Sequence, residues 1–336
     1  MPLSGFRAYN PMNIMELQQS MRGTFASKKV FVIACCRERE GYTVSFLQYL
    51  INGLSIGAVY AIIALGYTMV YGIAKMLNFA HGDVIMVGAY VSFCVTSYLG
   101  LPVVAGIALA VIVCTLLGII IEGLAYKPLR GVPSLAVLIT AIGVSYFLQN
   151  AAQLIFGSAP KNFKSIVTMA PISLFDGQIT ITGEVLVTIA VSVAIMIGLT
   201  LFTTKTKMGK AMRAVSEDRA AAQLMGINVN QTISMTFAIG SALAAVAGVL
   251  LCSTVPTLMP TTGAMPGIRA FTAAVFGGIG SIPGAMLGGI LLGVIETFSK
   301  AYLSTQFSDA IVFLVLIVIL LVKPAGLLGK HVQEKV

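Results

Sequence analysis

Long apolar runs separated by short polar links set the pattern of this chain. Eight runs read as membrane-spanning helices: Leu47–Tyr71, Val84–Tyr98, Pro102–Tyr126, Ser134–Phe156, Glu184–Thr203, Thr232–Cys252, Ala285–Phe298 and Asp309–Val322. Crossing the roughly 30 Å of bilayer hydrocarbon takes about 20 apolar helical residues. A ninth stretch, Thr261–Gly284, is different. Pro266 and Pro283 interrupt it, as do Gly263, Gly267, Gly277, Gly278, Gly280 and Gly284, and its apolar piece, Ala270–Phe276, is too short to cross. Irregular backbone at membrane depth is tolerated only inside protein or beside a cavity, and broken helices of this kind point to a transport pathway. The predicted fold class is therefore an all-α polytopic membrane protein with eight full-length transmembrane helices plus one short or broken Gly/Pro-rich membrane element. Gly53 and Gly57 give the first run a face that suits close helix approach. Within the 157–182 link, Ile179–Thr182 alternates like a short strand.

The densest polar run is Thr204–Asn230. It carries Lys205, Lys207, Lys210, Arg213 and Arg219 against Glu217 and Asp218. Basic links mark the cytoplasmic side of a membrane protein. Placing this run there brings Lys75 and the Lys127/Arg130 link to the same side, while the uncharged link at Ser97–Pro102 faces out. The basic tail with Lys323 and Lys330 follows only if the Gly-rich element also crosses, so nine crossings are expected, with the first span starting outside. Inside the polar run, Ser216 is the expected N-cap of a helix, with Glu217 and Asp218 in its first turn favouring the helix dipole. Ala220–Met225 are good helix formers and Gly226 is the expected stop. Ala221, Leu224 and Met225 recur at i, i+3, i+4 and form a small apolar stripe. That stripe suits either the membrane surface or a groove on a soluble partner. Residues 1–43 read as a flexible tail or as translated sequence upstream of the true start. Residues 44–330 then form one transmembrane domain with a cytoplasmic loop at 204–230, and 331–336 a C-terminal tail.

Composition confirms the solvent. Hydrophobic residues make up 57% of the chain and charged residues only 10%, against about 25% charged in soluble domains, so lipid must cover much of the surface. The net charge is +9, but the basic residues sit in links and no basic face interleaves with aromatics, which argues against nucleic acid. No enzyme constellation is present. Cys94, Cys114 and Cys252 lie in apolar runs without metal-ligand spacing. His81 and His331 are the only histidines, too few for a His-based metal site or triad. Gly209-Lys210 is followed by alanine and lacks the upstream glycine of a phosphate loop, so ATP hydrolysis by that route is not expected in this chain. Ionisable residues in apolar runs are functional candidates by default. Glu122 is an expected interfacial anchor within reach of Lys127. Glu296 has Lys300 at i+4, the favoured orientation. Asp83 suits a helix start, and Asn78 and His81 beside it line a pathway or pack.

Three motifs carry a resemblance. Leu77-Asn-Phe-Ala-His-Gly-Asp-Val-Ile-Met-Val-Gly-Ala-Tyr90, the block Arg213–Asn228, and Ala274-Val-Phe-Gly-Gly-Ile-Gly-Ser-Ile-Pro-Gly-Ala-Met-Leu-Gly-Gly289 together resemble the inner-membrane permeases of branched-chain amino acid ABC importers. The resemblance covers about Phe46 to the C-terminus. It implies a translocation path shared with a second homologous permease, in the bacterial inner (plasma) membrane. Two cytoplasmic ATPases with ATP and Mg drive it, this chain binds no cofactor, and a periplasmic binding protein delivers leucine, isoleucine or valine. It also implies that Ser216, Glu217, Asp218, Ala221, Ala222, Leu224, Met225 and Gly226 form the helix that docks on an ATPase. Two positions depart from the family pattern. Ala220 stands where the docking motif has glutamate. Gly123 follows Glu122 where the family usually has arginine, so no salt-bridge role is expected to carry over to Glu122. Related permeases carry urea or short amides, which is the first alternative; an ion-coupled secondary transporter using Glu122 or Glu296 is the second.

Overall fold

The computed structural model describes residues 25–163, 165, 171–174 and 179–329, with side chains from residue 44 and excepting those of residues 134 and 174. The expectations for residues 1–24 and 331–336 lie outside the described residues. The chain divides into two units, Met1–Leu47 and Gln48–Val336. The described part of the first is helical from Phe25; everything below concerns the second.

The architecture is helical. Helix α1, Phe25–Ala74, contains the crossing-length segment Val44–Ala74. Then come α2 His81–Ser97, α3 Val103–Ile121 and α4 Ser134–Phe156. A π-turn at Glu122–Tyr126 and a 3-10 turn at Lys127–Leu129 extend α3. Short strands β1 Lys161–Asn162, β2 Ile172–Leu174 and β3 Ile179–Ile181 precede α5, Gly183–Lys205. Two short helices follow, α6 Lys207–Glu217 and α7 Arg219–Leu224. The chain ends with α8 Val229–Thr254, β4 Thr257–Leu258, α9 Ala264–Gly277, α10 Ile282–Tyr302 and α11 Ser308–Val322. Strand β3 pairs antiparallel with β2, where the sequence alternates, and β1 pairs antiparallel with β4.

Among the described residues six helices are long and apolar enough to cross a membrane, not the eight expected from the runs; they are the segments within α1, α3, α4, α5, α8 and α10. The two differences have one cause each. Helix α2 has only 17 residues, and most of it is enclosed: Val84, Ile85, Met86, Ala89 and Tyr90 are all buried. A helix walled in by protein does not have to match the lipid thickness by itself. Helix α11 has 15 residues, about 22 Å at the helical rise. Helices α3, α4 and α5 form the greasy outside, with Leu109, Ile112 and Leu116 on α3 and Ile139, Phe147 and Leu154 on α4 exposed. Single-sided apolar exposure on this scale is what lipid or a partner chain covers.

The inside is held by small residues. A Cβ on Gly57 of α1 would sit 2.7 Å from the Ile290 carbonyl oxygen and 2.8 Å from the Ile290 Cα on α10. Only glycine lets the two backbones lie that close, as the spacing of Gly53 and Gly57 predicts. The Gly-rich segment is a helix, a tight turn and a second helix. Pro266 falls in the first turn of α9, where a missing N–H costs nothing. The glycines expected at a broken element lie in the turn. Gly277 closes α9 against Gly284, Gly278 has φ +104° and Gly280 φ +94°. The Leu327 and Leu328 amides donate to the Phe276 and Gly277 carbonyls, 2.9 Å each, so the end of α9 is not left unsatisfied.

Candidate docking elbow and interior charge clusters

The polar run expected to form one helix from Ser216 forms two, joined at Asp218. Asp218 is extended, at φ −150° and ψ 117°, and its carboxylate accepts from the Ala220 and Ala221 amides at 2.8 and 3.1 Å. It is therefore the N-cap. Ser216 is not: it lies in the last turn of α6 and its hydroxyl donates to the Arg213 carbonyl at 2.7 Å. Glu217 ends α6 rather than opening α7. Ser216 and Asp218 are both capping residue types, and an aspartate with two free amides ahead of it outcompetes a serine whose hydroxyl has a carbonyl one turn back. Gly226 stops α7 as expected, at φ +82°. Its amide donates to Gln223 and the Ile227 amide to Ala222, at 3.0 Å each.

This elbow is fastened to the bundle. The Arg219 guanidinium donates to the Ala74 carbonyl at the end of α1. Burial, and then the charge of Arg130, push the Arg219 pKa below its ordinary value. Thr206 caps α6 by accepting from the Gly209 amide at 3.0 Å. Met212, Val215 and Ala222 are buried beneath the elbow, while Ala221 is exposed and Leu224 and Met225 are 89% and 82% exposed. The apolar stripe therefore points away from its own bundle, on a helix whose base is fixed. Ala220, where the docking pattern has glutamate, is exposed on the same helix.

Two buried ion clusters lie inside the bundle. Glu122, buried at the π-turn, pairs with Arg130 rather than with Lys127, and Ser234 of α8 donates to its other oxygen at 2.6 Å. Arg130 also donates to Asn230 at the base of α8. The missing arginine beside Glu122 is thus replaced from eight positions further on, because the two turns after α3 fold the link back over the carboxylate. The second cluster centres on Arg269 of α9. Its guanidinium donates to Glu296 Oε1 at 2.8 Å, to Tyr60 Oη at 3.0 Å and to Asp309 Oδ1 at 2.5 Å. Lys300 also donates to Glu296 Oε1, at 2.5 Å, the pair expected at i+4. Arg269, Tyr60 and Asp309 escaped the sequence reading. The available signal was an arginine inside an apolar segment, which must find a carboxylate.

A third group surrounds the start of α2. Asn78 accepts from Tyr126 Oη at 2.9 Å and Asp83 accepts from Gln149 at 2.9 Å. His81 lies edge-on to Tyr67, with ring centroids 4.7 Å apart, and its Nε2 has no partner among the described residues. All three side chains are buried, each against a different partner. Among the described residues, no three His, Cys, Asp or Glu groups could hold a metal ion.

Fold and elbow define a multi-pass helical membrane protein that presents one small apolar knob, on a braced helix, outside its bundle. Comparison with known proteins gives the family. The branched-chain amino acid transport system permease component model matches residues 49–320, and the chain belongs to that family. It is 46% identical over 304 residues to the high-affinity branched-chain amino acid transport system permease protein BraD of Pseudomonas aeruginosa, covering 87% of this chain and 98% of that one. It is 46% identical over 303 residues to the corresponding LivH of Escherichia coli, with the same coverage. A probable LivH of Methanocaldococcus jannaschii is 32% identical over 283 residues, 80% of this chain and 88% of that one. The chain is accordingly a transport subunit rather than a catalytic one.

Proposed function

We propose that this chain forms part of the translocation path for branched-chain amino acids in an ATP-driven importer of the bacterial inner membrane. A second homologous permease completes the path. Two cytoplasmic ATPases hold ATP and Mg, and a periplasmic binding protein delivers the cargo. The observation that carries this reading is the elbow: an apolar knob exposed on a helix whose base is tied to α1. A free knob on a flexible loop would transmit nothing. A knob braced by Arg219 and by buried Ala222 moves the ends of α1 and α8 when its partner moves.

We count α2 and α11 as crossings beside the six long helices, with α9 as the short ninth element, and put the elbow in the cytoplasm by its lysines and arginines. Glu217 and Asp218 then supply the only acidic charge near the docking face, since Ala220 supplies none. Mechanistically, closure of the ATPases shifts the elbow, and the path alternates between outward and inward access without any bond being made in this chain.

The test is uptake by the complete complex in proteoliposomes with ATP inside and loaded binding protein outside. Radiolabelled leucine is expected to accumulate and radiolabelled urea is not. Accumulation of urea without leucine would assign the alternative cargo. Accumulation that needs a proton or sodium gradient but no ATP would assign the secondary carrier.

A further inference from the structure

At the elbow end of the bundle two cavities, of about 350 and 720 Å³, meet at Gly131 and Arg219. Both volumes fall within the ~300–1,000 Å³ of small-ligand sites. The first cavity lies between the end of α1 and the start of α4. Leu77, Val132, Val137 and Leu138 give it an apolar wall, and Lys75 and Arg219 bring two cations to it. The second is lined by Arg219, Ala220 and Gln223 of α7, by Arg130 and by the start of α8. The exposed Ala221, Leu224 and Met225 line neither cavity. The cavities and the docking stripe therefore use different faces of α7.

The charge here is one-sided. No aspartate or glutamate lines either cavity, and Ala220 supplies none where the docking pattern has one. Arg130 is neutralised by Glu122. Lys75 and Arg219 pair with no carboxylate among the described residues. The only hydrogen bond of the Arg219 guanidinium among those residues goes to the Ala74 carbonyl, and burial and the charge of Arg130 lower its pKa. Lys75 is also held in an unusual conformation. It follows the end of α1 at φ +52°, the only non-glycine at positive φ among the described residues. Glycine or asparagine suits such a cap; the lysine instead brings an ammonium to the cavity.

Depth decides what the complementary anion is attached to. The crossing-length segments Val44–Ala74 and Leu135–Phe156 both end beside the first cavity, and the ends of crossing helices lie at the level of the lipid headgroups. One turn along α4 from Leu138, Ile142 is exposed on the outside of the bundle, where an acyl chain lies. A soluble anion gains nothing from this apolar wall. Basic pockets between membrane helices on the cytoplasmic side suit anionic lipid heads.

We propose that the first cavity binds an anionic phospholipid, with Lys75 and Arg219 taking the phosphate and the Val132–Leu138 wall taking the start of an acyl chain. The site is independent of which cargo the chain carries. The bound head lies beside the Arg219–Ala74 contact that fastens the elbow, so the lipid becomes part of that brace.

The test is lipid binding to the complete complex in detergent, read by native mass spectrometry with phosphatidylglycerol and phosphatidylcholine. Each Lys or Arg near an anionic lipid contributes about fivefold in binding, so wild type is expected to hold phosphatidylglycerol at least tenfold more tightly. Lys75→Asn, which keeps a residue suited to positive φ, is expected to lower that preference about fivefold; Lys75→Arg is expected to keep it. Lys207→Gln, the same loss of charge at an exposed position of α6 outside both cavities, is expected to leave it unchanged. Soluble glycerol phosphate is expected not to displace the lipid. Co-purification of the ATPases with each variant checks assembly. Absence of a preference in wild type overturns the proposal. Equal losses in Lys75→Asn and Lys207→Gln would show a diffuse surface charge, and equal losses in Lys75→Asn and Lys75→Arg a backbone effect; either overturns it. Displacement by glycerol phosphate would assign a free-phosphate site instead. Loss of the ATPases from Lys75→Asn with its lipid preference intact would assign the cavity to an acidic side chain of a partner, which also overturns it.

Discussion

Leu224→Ala separates docking from folding. In this chain Leu224 is 89% exposed and makes little contact with its own bundle, so truncating it should leave the bundle's stability within about 0.5 kcal/mol, as for ordinary surface sites. On a partner the arithmetic changes. Fully burying a leucine stabilises by about 1.5–3 kcal/mol. Scaled by the exposed fraction, about 1.3–2.7 kcal/mol of docking energy rests on this side chain. At roughly 1.4 kcal/mol per tenfold, the ATPase should bind about 10- to 100-fold more weakly. The assay is titration of ATPase subunits onto the permease pair held in lipid nanodiscs, beside thermal unfolding of the pair alone. Weaker binding with unchanged unfolding supports the elbow as the docking site. Affinity within twofold of wild type would falsify it, and so would a large loss of stability, since the side chain would then be serving its own fold.

Two further outcomes follow from the packing. Glu122→Ala strands Arg130 in a mostly buried position, and losing one partner of a buried ion pair costs about 3–5 kcal/mol; Glu122→Gln, which can still accept from Ser234, should cost less, and equal denaturation midpoints for the two would contradict the pairing. Gly57→Ala places a methyl 2.7 Å from the Ile290 carbonyl, so α1 and α10 must separate, with an expected loss of about 1–3 kcal/mol from overpacking that a thermal melt in detergent reads directly.

What the sequence shows and what it hides divide along a physical line. Apolar length is a local property, and the six long helices lie where the runs predict, each within a few residues. The two short runs were legible as apolar but not as different in kind, because Val84–Tyr98 has the composition of a lipid-exposed span while most of its side chains are buried in protein. Local competition decides the cap at Asp218. Two capping residues two positions apart, Ser216 and Asp218, leave the choice to which backbone amides are free, and that depends on where α6 ends. Pairing across distance is the least legible. Lys300 is found four residues from Glu296 by helical spacing. Arg130 reaches Glu122 only because a π-turn and a 3-10 turn fold the link back, and Arg269 meets Tyr60, 209 positions away, through the fold alone.

The same long-range contacts explain how the two ends of the molecule can act together. Helix α8 begins at Asn228, whose side chain caps it by accepting from the Gln231 amide at 3.1 Å, directly after the Gly226 turn that ends the elbow. Two positions on, Asn230 holds the Arg130–Glu122 pair. The helix then runs through the bundle with Gly248 and Ala245 pressed against α2, and its last turn, with Leu251 and Thr254, lines the cavity that Arg269, Glu296 and Lys300 also border. Beyond the Gly226 turn, one unbroken helix of 26 residues joins the elbow to that wall. Small residues bring the two backbones into close contact along α2, with the Ile85 backbone and side chain seated over Gly248. The charged cavity, the rod and the exposed knob therefore form one mechanical line. At its outer end one carboxylate, that of Asp218, holds the Ala220 and Ala221 amides and so opens the docking helix.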